Sequence, residues 1–321
     1  MSSKSSIQGK AFEYAVCLSV QEKVKPSRPV ILADSKSMEI ARKRFELDID
    51  SALRLKMRKS ADAGVLGLIP MESHLSDKSK LPLQVDLQSD DKGILGDVRD
   101  VILSVPELDW EIGVSVKHNH DALKHSRLSP NIDFGKEWYG IPVSPRYWNA
   151  VNPIFSELSG LKIKEVKWRD MISKSQTVYR PILESFIAEI KLLPVSSKNK
   201  FVSGIFNYML GSQQNDYYKL VQDSTTKRTK VTAFNFNNNL HQSVSPLDSN
   251  PSREVIQIPT DLLEIGFKPK SDNTVLLRLN EGWVFSFRLH NASTVIEPSL
   301  KFDVQLAESP ASLKSHFFKW H

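Results

Sequence analysis

Three extended segments between residues 83 and 117 constrain the fold of this chain most. Leu83, Val85 and Leu87 alternate with polar residues, which is the period of two expected of a β-strand. Two apolar runs follow, at residues 96–105 and 110–116, and the four residues between them, Pro-Glu-Leu-Asp, predict a turn. These patterns predict three consecutive strands, the last two of which pair as a hairpin.

The register of this hairpin places two opposite charges side by side. If residues 106–109 form the loop, Val105 faces Trp110, and counting back along both strands brings Asp100 opposite Ser115. Lys117 then lies on the same side as Ser115, because side chains alternate with a period of two. An odd-length loop or a bulge would change these faces. Charges inside a buried sheet cost several kcal/mol unless they are paired or bind an ion, so the pattern predicts a functional site.

An acid at the start of one strand opposite an X-X-Lys on the next resembles the core of the PD-(D/E)XK nucleases. In that core, acidic residues hold Mg²⁺ and the lysine helps to orient or activate the attacking water. The chemistry suits phosphodiester hydrolysis, because a divalent cation stabilises the negative charge that develops on the phosphate and lowers the pKa of bound water. The resemblance implies catalytic roles for Asp100 and Lys117, with Asp100 as a metal ligand.

The sequence departs from that core at one position, because Ser115 stands where Glu or Asp is expected. A carboxylate from elsewhere would then complete the site, and Glu13, in the first helical segment, is the first candidate. Asp97 and Glu111 are the reserves. In the predicted register Glu111 faces Ser104, roughly 13 Å along the strand from Ser115, which is too far to share the first shell of a metal ion.

Further segments spread along the chain resemble the HaeIII-type family of type II restriction endonucleases. They are Gln8-Gly9 with Phe12-Glu13, and residues 96–101, 117–129, 132–140, 288–294 and 297–305. The resemblance implies a Mg²⁺-dependent endonuclease that recognises the duplex sequence GGCC and cuts it blunt between G and C. It also implies a DNA methyltransferase that protects the host DNA. A palindromic target cut on both strands favours a homodimer, although sequential nicking by a monomer remains open.

Candidate DNA contacts lie in two parts of the chain. Lys and Arg bind phosphates, and several basic residues closely follow Lys117. Arg and Lys also donate to the O6 and N7 atoms of guanine in the major groove, and the segments that resemble the family near the C-terminus carry such residues. The candidates are His118, Asn119, His120, Lys124, Arg127, Lys136, Arg288, His290, Asn291 and Lys301.

The order of patterns along the chain predicts a mixed α/β or α+β fold. Helical periodicity occupies residues 12–20, a single long stretch from Met38 to near Gly64, residues 121–128 and much of residues 150–222; residues 224–257 are polar and turn-rich, and alternation returns at residues 275–279, 283–289 and 302–306. We expect a restriction-endonuclease-like core with a mixed sheet flanked by helices. The expected regions are a catalytic core with a helical insertion at residues 1–223 and a β-rich recognition region at residues 224–321, which could be continuous with the core.

Composition excludes several other classes. The 321 residues carry 43 Lys and Arg against 37 Asp and Glu, so the net charge of +6 permits a polyanionic partner but identifies none. A single cysteine, Cys17, excludes a disulfide framework and a cysteine-based zinc site. The sequence holds no membrane-spanning apolar run and no hydrophobic leader, which favours a cytoplasmic protein. A glycine-rich nucleotide-binding loop is also missing, so ATP dependence is not expected.

Two other functions remain open on the same residues. A structure-directed or repair nuclease would use the same core on branched or damaged DNA without sequence preference. A catalytically inactive DNA-binding protein is compatible with Ser115 in the acidic position. Asp97, Arg99 and Asp100 could instead be an ion-paired edge strand that binds no metal, and Glu13 could be a helix acid with no catalytic role.

Overall fold

The structure is a computed structural model that describes residues 4–89, 97–119, 121–211, 215–240 and 254–321. Its helices, numbered in chain order, are α1 (Lys4–Val24), α2 (Lys36–Leu47), α3 (Ser51–Leu68), α4 (Ser73–Ser76), α5 (Phe134–Tyr139), α6 (Pro145–Ile163), α7 (Arg180–Lys191) and α8 (Val195–Leu210). Its strands are β1 (Val30–Leu32), β2 (Leu83–Leu87), β3 (Val101–Val105), β4 (Trp110–His118), β5 (Lys124–Leu128), β6 (Tyr217–Asp223), β7 (Arg228–Phe234), β8 (Leu262–Phe267), β9 (Thr274–Leu279), β10 (Val284–Asn291), β11 (Leu300–Glu308) and β12 (Ser315–Lys319). None of the described helices is both long and apolar enough to cross a bilayer. The mixed α/β class is confirmed.

The chain divides into two compact units, each assembled from separate segments. The first unit takes Met1–Asp121, Gly211–Gln257 and Ala311–His321, and the second takes Ala122–Leu210 and Ile258–Pro310. The boundary expected between residues 223 and 224 falls within the first unit, at the turn between β6 and β7. The assignment of the expected regions to catalysis and recognition stays a prediction.

The first unit is built on a seven-stranded mixed sheet in the order β1-β2-β3-β4-β6-β7-β12. The pairs β1–β2 and β4–β6 are parallel, whereas β2, β3 and β4 form a continuous antiparallel meander. This confirms the three consecutive strands and the hairpin. Helices α1 and α3 pack on the sheet through buried side chains such as Phe12, Val16 and Met57. Burying one large apolar side chain contributes roughly 1.5–3 kcal/mol, so this layer stabilises the unit.

Close packing of α3 on the sheet depends on a glycine. A β-carbon built at Gly64 would lie 2.6 Å from Cδ2 of Leu220 on β6, closer than carbon atoms can approach.

The single long helix expected between Met38 and Gly64 was wrong, because two helices form there. The carboxylate of Asp50 accepts a hydrogen bond from the backbone N–H of Leu53 and so begins α3 separately from α2.

The second unit contains a five-stranded antiparallel sheet in the order β5-β11-β10-β9-β8. One face of this sheet packs on aromatic side chains of the helices, among them Phe134 and Trp138 of α5 and Phe186 of α7. The strands expected at residues 275–279, 283–289 and 302–306 are confirmed as β9, β10 and β11. The helix expected at residues 121–128 was wrong, because Lys124–Leu128 instead forms β5 and pairs with β11.

Candidate active site

The hairpin has the predicted register. A 3₁₀ turn at Pro106–Leu108, followed by Asp109 in the left-handed conformation at φ 50°, closes the loop and leaves Val105 opposite Trp110. The ladder runs without a bulge from this pair to Val101 opposite Val114. Beyond it, β4 continues along β6 to His118, so Asp100 lies where the two hairpin strands separate.

The carboxylate of Asp100 gathers three donors from β4. Its Oδ2 atom accepts hydrogen bonds from the backbone N–H of Val116 at 2.6 Å, from Nζ of Lys117 at 3.0 Å and from Oγ of Ser115 at 3.3 Å. About a quarter of each charged side chain is exposed, 24% for Asp100 and 23% for Lys117. The predicted juxtaposition of Asp100, Ser115 and Lys117 is therefore present. Among the described residues, the hydrogen bonds to this carboxylate end on Oδ2, so Oδ1 is available to a ligand.

Glu13 reaches the same location from α1, although it lies far away in sequence. Its side chain is buried, and Oε2 lies 3.1 Å from Nζ of Lys10. Burial, and next the negative charge of Asp100, raise the pKa of Glu13 to about 7, while Lys10 and Lys117 act in the opposite direction. Burial and the neighbouring carboxylate both oppose ionisation of Glu13. A bound cation would offset these effects, because its positive charge attracts both carboxylates.

The donors fit a hard divalent cation such as Mg²⁺. Asp100 and Glu13 offer carboxylate oxygens, and Mg²⁺ is commonly held by one or two carboxylates, several waters and substrate phosphates. In the part of the chain that the structure describes, no group of three or more His, Cys, Asp or Glu side chains is placed to hold a metal. The site therefore suits an ion completed by water and substrate, and not an ion enclosed by protein ligands.

The two reserve acids occupy a separate cluster around Arg99. Its Nη1 atom lies 2.8 Å from Oε1 of Glu111, and its Nη2 atom lies 2.8 Å from Oδ2 of Asp97, which also accepts from Gln88 at 2.5 Å. Burial raises the pKa of Asp97, but the hydrogen bonds and charge of Arg99 outweigh burial, so the pKa lies below its ordinary value. Both acids are thus engaged by an arginine, and the structure does not join them to the Asp100 carboxylate.

A buried lysine beside Ser115 was missed in the sequence. Lys219 on β6 pairs in register with Ser115, and its side chain is only 5% exposed. Its ammonium donates to Oδ1 of Asp121 at 2.6 Å, and Lys230 on β7 donates to Oδ2 at 2.7 Å. Burial lowers the pKa of Lys219, and Asp121 opposes this effect. The sequence did carry a signal, because this lysine lies within the apolar run Tyr-Tyr-Lys-Leu-Val. A charge within an apolar run is also what identified the hairpin. Here the signal was missed because the region was interpreted as helical.

The DNA-contact candidates that follow Lys117 are partly engaged in the first unit. The ring of His118 lies 6.1 Å from that of Phe12, and its Nδ1 atom is 2.5 Å from Oε1 of Gln222. Burial lowers the pKa of His118. Asn119, at φ 56°, accepts a hydrogen bond from the backbone of Ser224 through Oδ1. These contacts position the end of β4, while His120 and the side chain of His125 lie outside the described residues.

The remaining candidates belong to the second unit. Lys124 lies over the ring of Tyr208, with 4.7 Å between Nζ and the ring centroid, and the side chain of Lys136 on α5 is exposed. Asn291 donates to the backbone carbonyl of Ser293 at 2.8 Å, and this contact shapes the end of β10. The other candidates, Arg127, Arg288, His290 and Lys301, lie on three neighbouring strands of the five-stranded sheet.

Comparisons with known proteins identify what the chain is similar to. The family described as HaeIII restriction endonuclease matches residues 9–310. The chain is 38% identical over 313 residues to the type II restriction enzyme HaeIII of Haemophilus aegyptius, and the match covers 98% of this chain and 97% of that enzyme. No solved structure matches the chain.

Proposed function

Because this chain belongs to the HaeIII restriction endonuclease family, we propose that it cuts double-stranded DNA within the palindrome GGCC, between G and C, with Mg²⁺ as cofactor. The observation that carries the catalytic part of the proposal is the contact between Asp100 and Lys117, beside a buried glutamate whose pKa is raised to about 7. The chain is a type II restriction endonuclease and thus a site-specific deoxyribonuclease. We expect it to act in the cytoplasm.

Asp100 and Glu13 would hold the cation. When bound, a divalent ion lowers the pKa of a coordinated water and stabilises the charge that develops on the phosphate. The contacts of Asp100 prepare it for this role, since Ser115 and the backbone of Val116 bind Oδ2 and fix the orientation of the carboxylate. The hydroxyl of Ser115 would thus support the acid, whereas a carboxylate at this position would add a further ligand.

Lys117 would act on the water and the phosphate. Its ammonium lies beside the carboxylate and is partly exposed, so it can donate a hydrogen bond to the attacking water or to a phosphate oxygen. A cation at this point stabilises the more negative transition state more than the ground state. Glu13 would contribute the second carboxylate from α1, whose Phe12 contacts His118 at the end of β4 that lies away from the hairpin loop. Lys124, Arg127 and Lys136 are proposed to contact DNA phosphates.

The proposal is tested by incubating plasmid DNA with the enzyme in Mg²⁺ and in EDTA. Discrete fragments that end blunt within GGCC, formed only in Mg²⁺, are the expected result. Random nicking or cutting at branched DNA would support a structure-directed nuclease instead. Binding without any cutting would support an inactive DNA-binding protein.

Lys117→Ala tests the assignment of the lysine. We expect cutting to fall at least about 100-fold, because one donor to the developing charge is lost, while binding of GGCC duplexes in Ca²⁺ changes little. Lys43→Ala is the matched control, since Lys43 is exposed on α2 and pairs only with Glu39 among the described residues. Cutting by the Lys117 variant at the wild-type rate would contradict the assignment.

We propose that two copies act on the palindrome as a homodimer, and that a DNA methyltransferase of the same specificity protects the host DNA. Two active sites related by a twofold axis match a target with the same symmetry. Sedimentation of the enzyme with a GGCC duplex tests the first proposal: two chains per duplex are expected, and one chain per duplex would favour sequential nicking by a monomer.

A further inference from the structure

The five-stranded sheet of the second unit has one apolar and one polar face. Phe287, Leu289 and Phe302 point into the aromatic core and are buried. Their neighbours in sequence lie on the opposite face, which we call the polar sheet face: Arg127 on β5, Arg288 and His290 on β10, and Lys301, Asp303 and Gln305 on β11. The buried positions account for packing of the sheet, but they do not account for the residues on this other face.

One cross-strand row of the polar sheet face carries like charges. Lys301 lies directly opposite Arg127 on one neighbouring strand and opposite His290 on the other. Like charges that face each other across strands destabilise a sheet. Oε1 of Glu297 lies 3.6 Å from Nη1 of Arg127 and offsets the charge of that arginine. Lys301 has no ion-pair partner among the residues that the structure describes. Stability therefore does not explain the row, and a bound polyanion would remove the repulsion.

The next row holds an arginine in a fixed position. Arg288 lies directly opposite Asp303, and its Nη2 atom is 3.2 Å from Oδ2 of that residue. The arginine side chain is 56% exposed, whereas the aspartate is only 9% exposed. Gln305 donates to the same Oδ2 from Nε2 at 3.4 Å, so its amide oxygen can accept from a ligand. The face thus presents an anchored guanidinium next to an amide acceptor.

We infer that the polar sheet face lies in the major groove of duplex DNA and reads G·C base pairs. The inference rests on the proposed function and extends it by assigning specificity to this surface. Guanine presents two acceptors, O6 and N7, which suit a fork of N–H donors on Arg288, and the cytosine amino group requires an acceptor such as the Gln305 amide oxygen. β-Sheet elements are among the known readers of the major groove. Asp303 is the positioning residue for Arg288, and Lys301 with Arg127 contacts phosphates beside the bases.

The inference is tested with substitutions that keep the charge. Arg288→Lys retains the positive charge but loses the bidentate fork, and Arg180→Lys makes the same change at an arginine at the start of α7 that pairs with Glu184 and Asp272. Each enzyme selects duplexes from a randomised library in Ca²⁺. Affinities for a GGCC duplex and for a duplex with one substituted base pair are then measured over a range of salt concentrations.

For Arg288→Lys we expect the preference for the GGCC duplex to fall by roughly 5- to 150-fold, the range for one bidentate contact. Affinity for the substituted duplex and its salt dependence should stay near wild type, because the number of cations is unchanged. Asp303→Asn should lower the preference in the same direction, with a smaller effect, since the guanidinium remains but is less firmly held. Arg180→Lys should leave the preference unchanged.

An Arg288→Lys enzyme with full preference for GGCC would overturn the inference. So would a proportional loss of affinity for both duplexes, because that result describes a phosphate contact. A wild type that selects a different sequence would contradict the proposed target, and the inference would then be judged by whether the lysine variant loses that selection. A wild type that selects no sequence would overturn both.

Discussion

Glu13 combines burial with the negative charge of a neighbouring carboxylate. The side chain lies within the α1 layer and faces the field of Asp100, and the two effects raise its pKa to about 7. A helix acid that served only stability would have no reason to be buried there. The resemblance to the family pointed to Glu13, whereas helical periodicity placed it only within the first helical segment.

Glu13→Gln tests this residue without changing its size. We expect cutting in Mg²⁺ to fall at least about 100-fold, since the amide is a poor ligand for a hard cation. The increase in melting temperature that Mg²⁺ gives the wild type should also shrink, because the stabilisation of the folded state by a ligand falls as its affinity falls. Unimpaired cutting would return the role to Asp97 or Glu111.

Asp97→Asn tests whether this reserve acid contributes to stability and not to cutting. The effect of the substitution on stability should depend on pH. The pKa of Asp97 lies below the ordinary value of 3.8, so its carboxylate stabilises the fold above that pH and this contribution disappears as pH falls through the lower folded pKa. We expect a loss of about 2 kcal/mol in the free energy of unfolding at pH 7, shrinking below about pH 4, with cutting retained. Urea unfolding at several pH values measures the difference. A stability loss that persists undiminished below pH 4, or loss of cutting in the folded variant, would be inconsistent with this account.

Residue positions were predictable where the backbone register alone fixed them. Asp100, Ser115 and Lys117 were found together because a loop of known length and a period of two determine which side chains face each other. Ion pairing of Asp97 with Arg99 was one of the alternatives open in the sequence, but the contact of Arg99 with Glu111 was not predictable, since it depends on a side chain that crosses β4. A β-carbon at Gly113 would lie 2.0 Å from Cδ of Arg99, so the glycine provides the space for this crossing.

At the scale of elements, prediction succeeded where one face of a strand is buried and the other is not. β2, β9 and β10 show that alternation. β6 is buried along almost its whole length, so its sequence lacks a period of two and cannot be distinguished from a helix by pattern alone. β5 is short and carries Lys and Arg, and its pairing with β11 is a long-range effect that local sequence does not report.

The Lys219–Asp121–Lys230 cluster joins β6 and β7 to the chain that follows β4. Asp121→Asn should lower the free energy of unfolding by about 3 kcal/mol, because Lys219 would remain buried without a countercharge. Lys230→Met should cost at most about 1 kcal/mol, since Asp121 keeps Lys219 and Lys230 is more exposed. Urea unfolding of both variants compares the two, and equal costs would contradict the unequal roles.

At the scale of the whole molecule, the last segment of the chain returns to the first unit as β12. Phe318 packs against α3 at Gly67, and Nε1 of Trp320 donates to Oγ1 of the buried Thr229 at 3.0 Å. None of the proposed catalytic or DNA-binding residues lies in this segment, which nevertheless completes the edge of the seven-stranded sheet.

Deletion of residues 311–321 should therefore lower the melting temperature and reduce cutting, although it removes no site residue. The loss of the contacts that the partly buried Phe318 makes with the core and of the β7–β12 hydrogen bonds accounts for both effects. Phe317→Ala is the control, since that side chain is 58% exposed and its removal should change the free energy of unfolding by less than about 0.5 kcal/mol. A deleted enzyme with wild-type melting temperature would show that β12 is dispensable.

The interleaving of the two units limits how such enzymes can exchange parts. The chain passes between them at residues 121–122, 210–211, 257–258 and 310–311, so each unit is encoded by separate stretches of the gene. After a single recombination event between two relatives, the first unit would be assembled from segments of both parents, and these segments have not been selected to pack together. New target sequences in this family should therefore arise by point substitution on an intact scaffold more readily than by shuffling of gene halves.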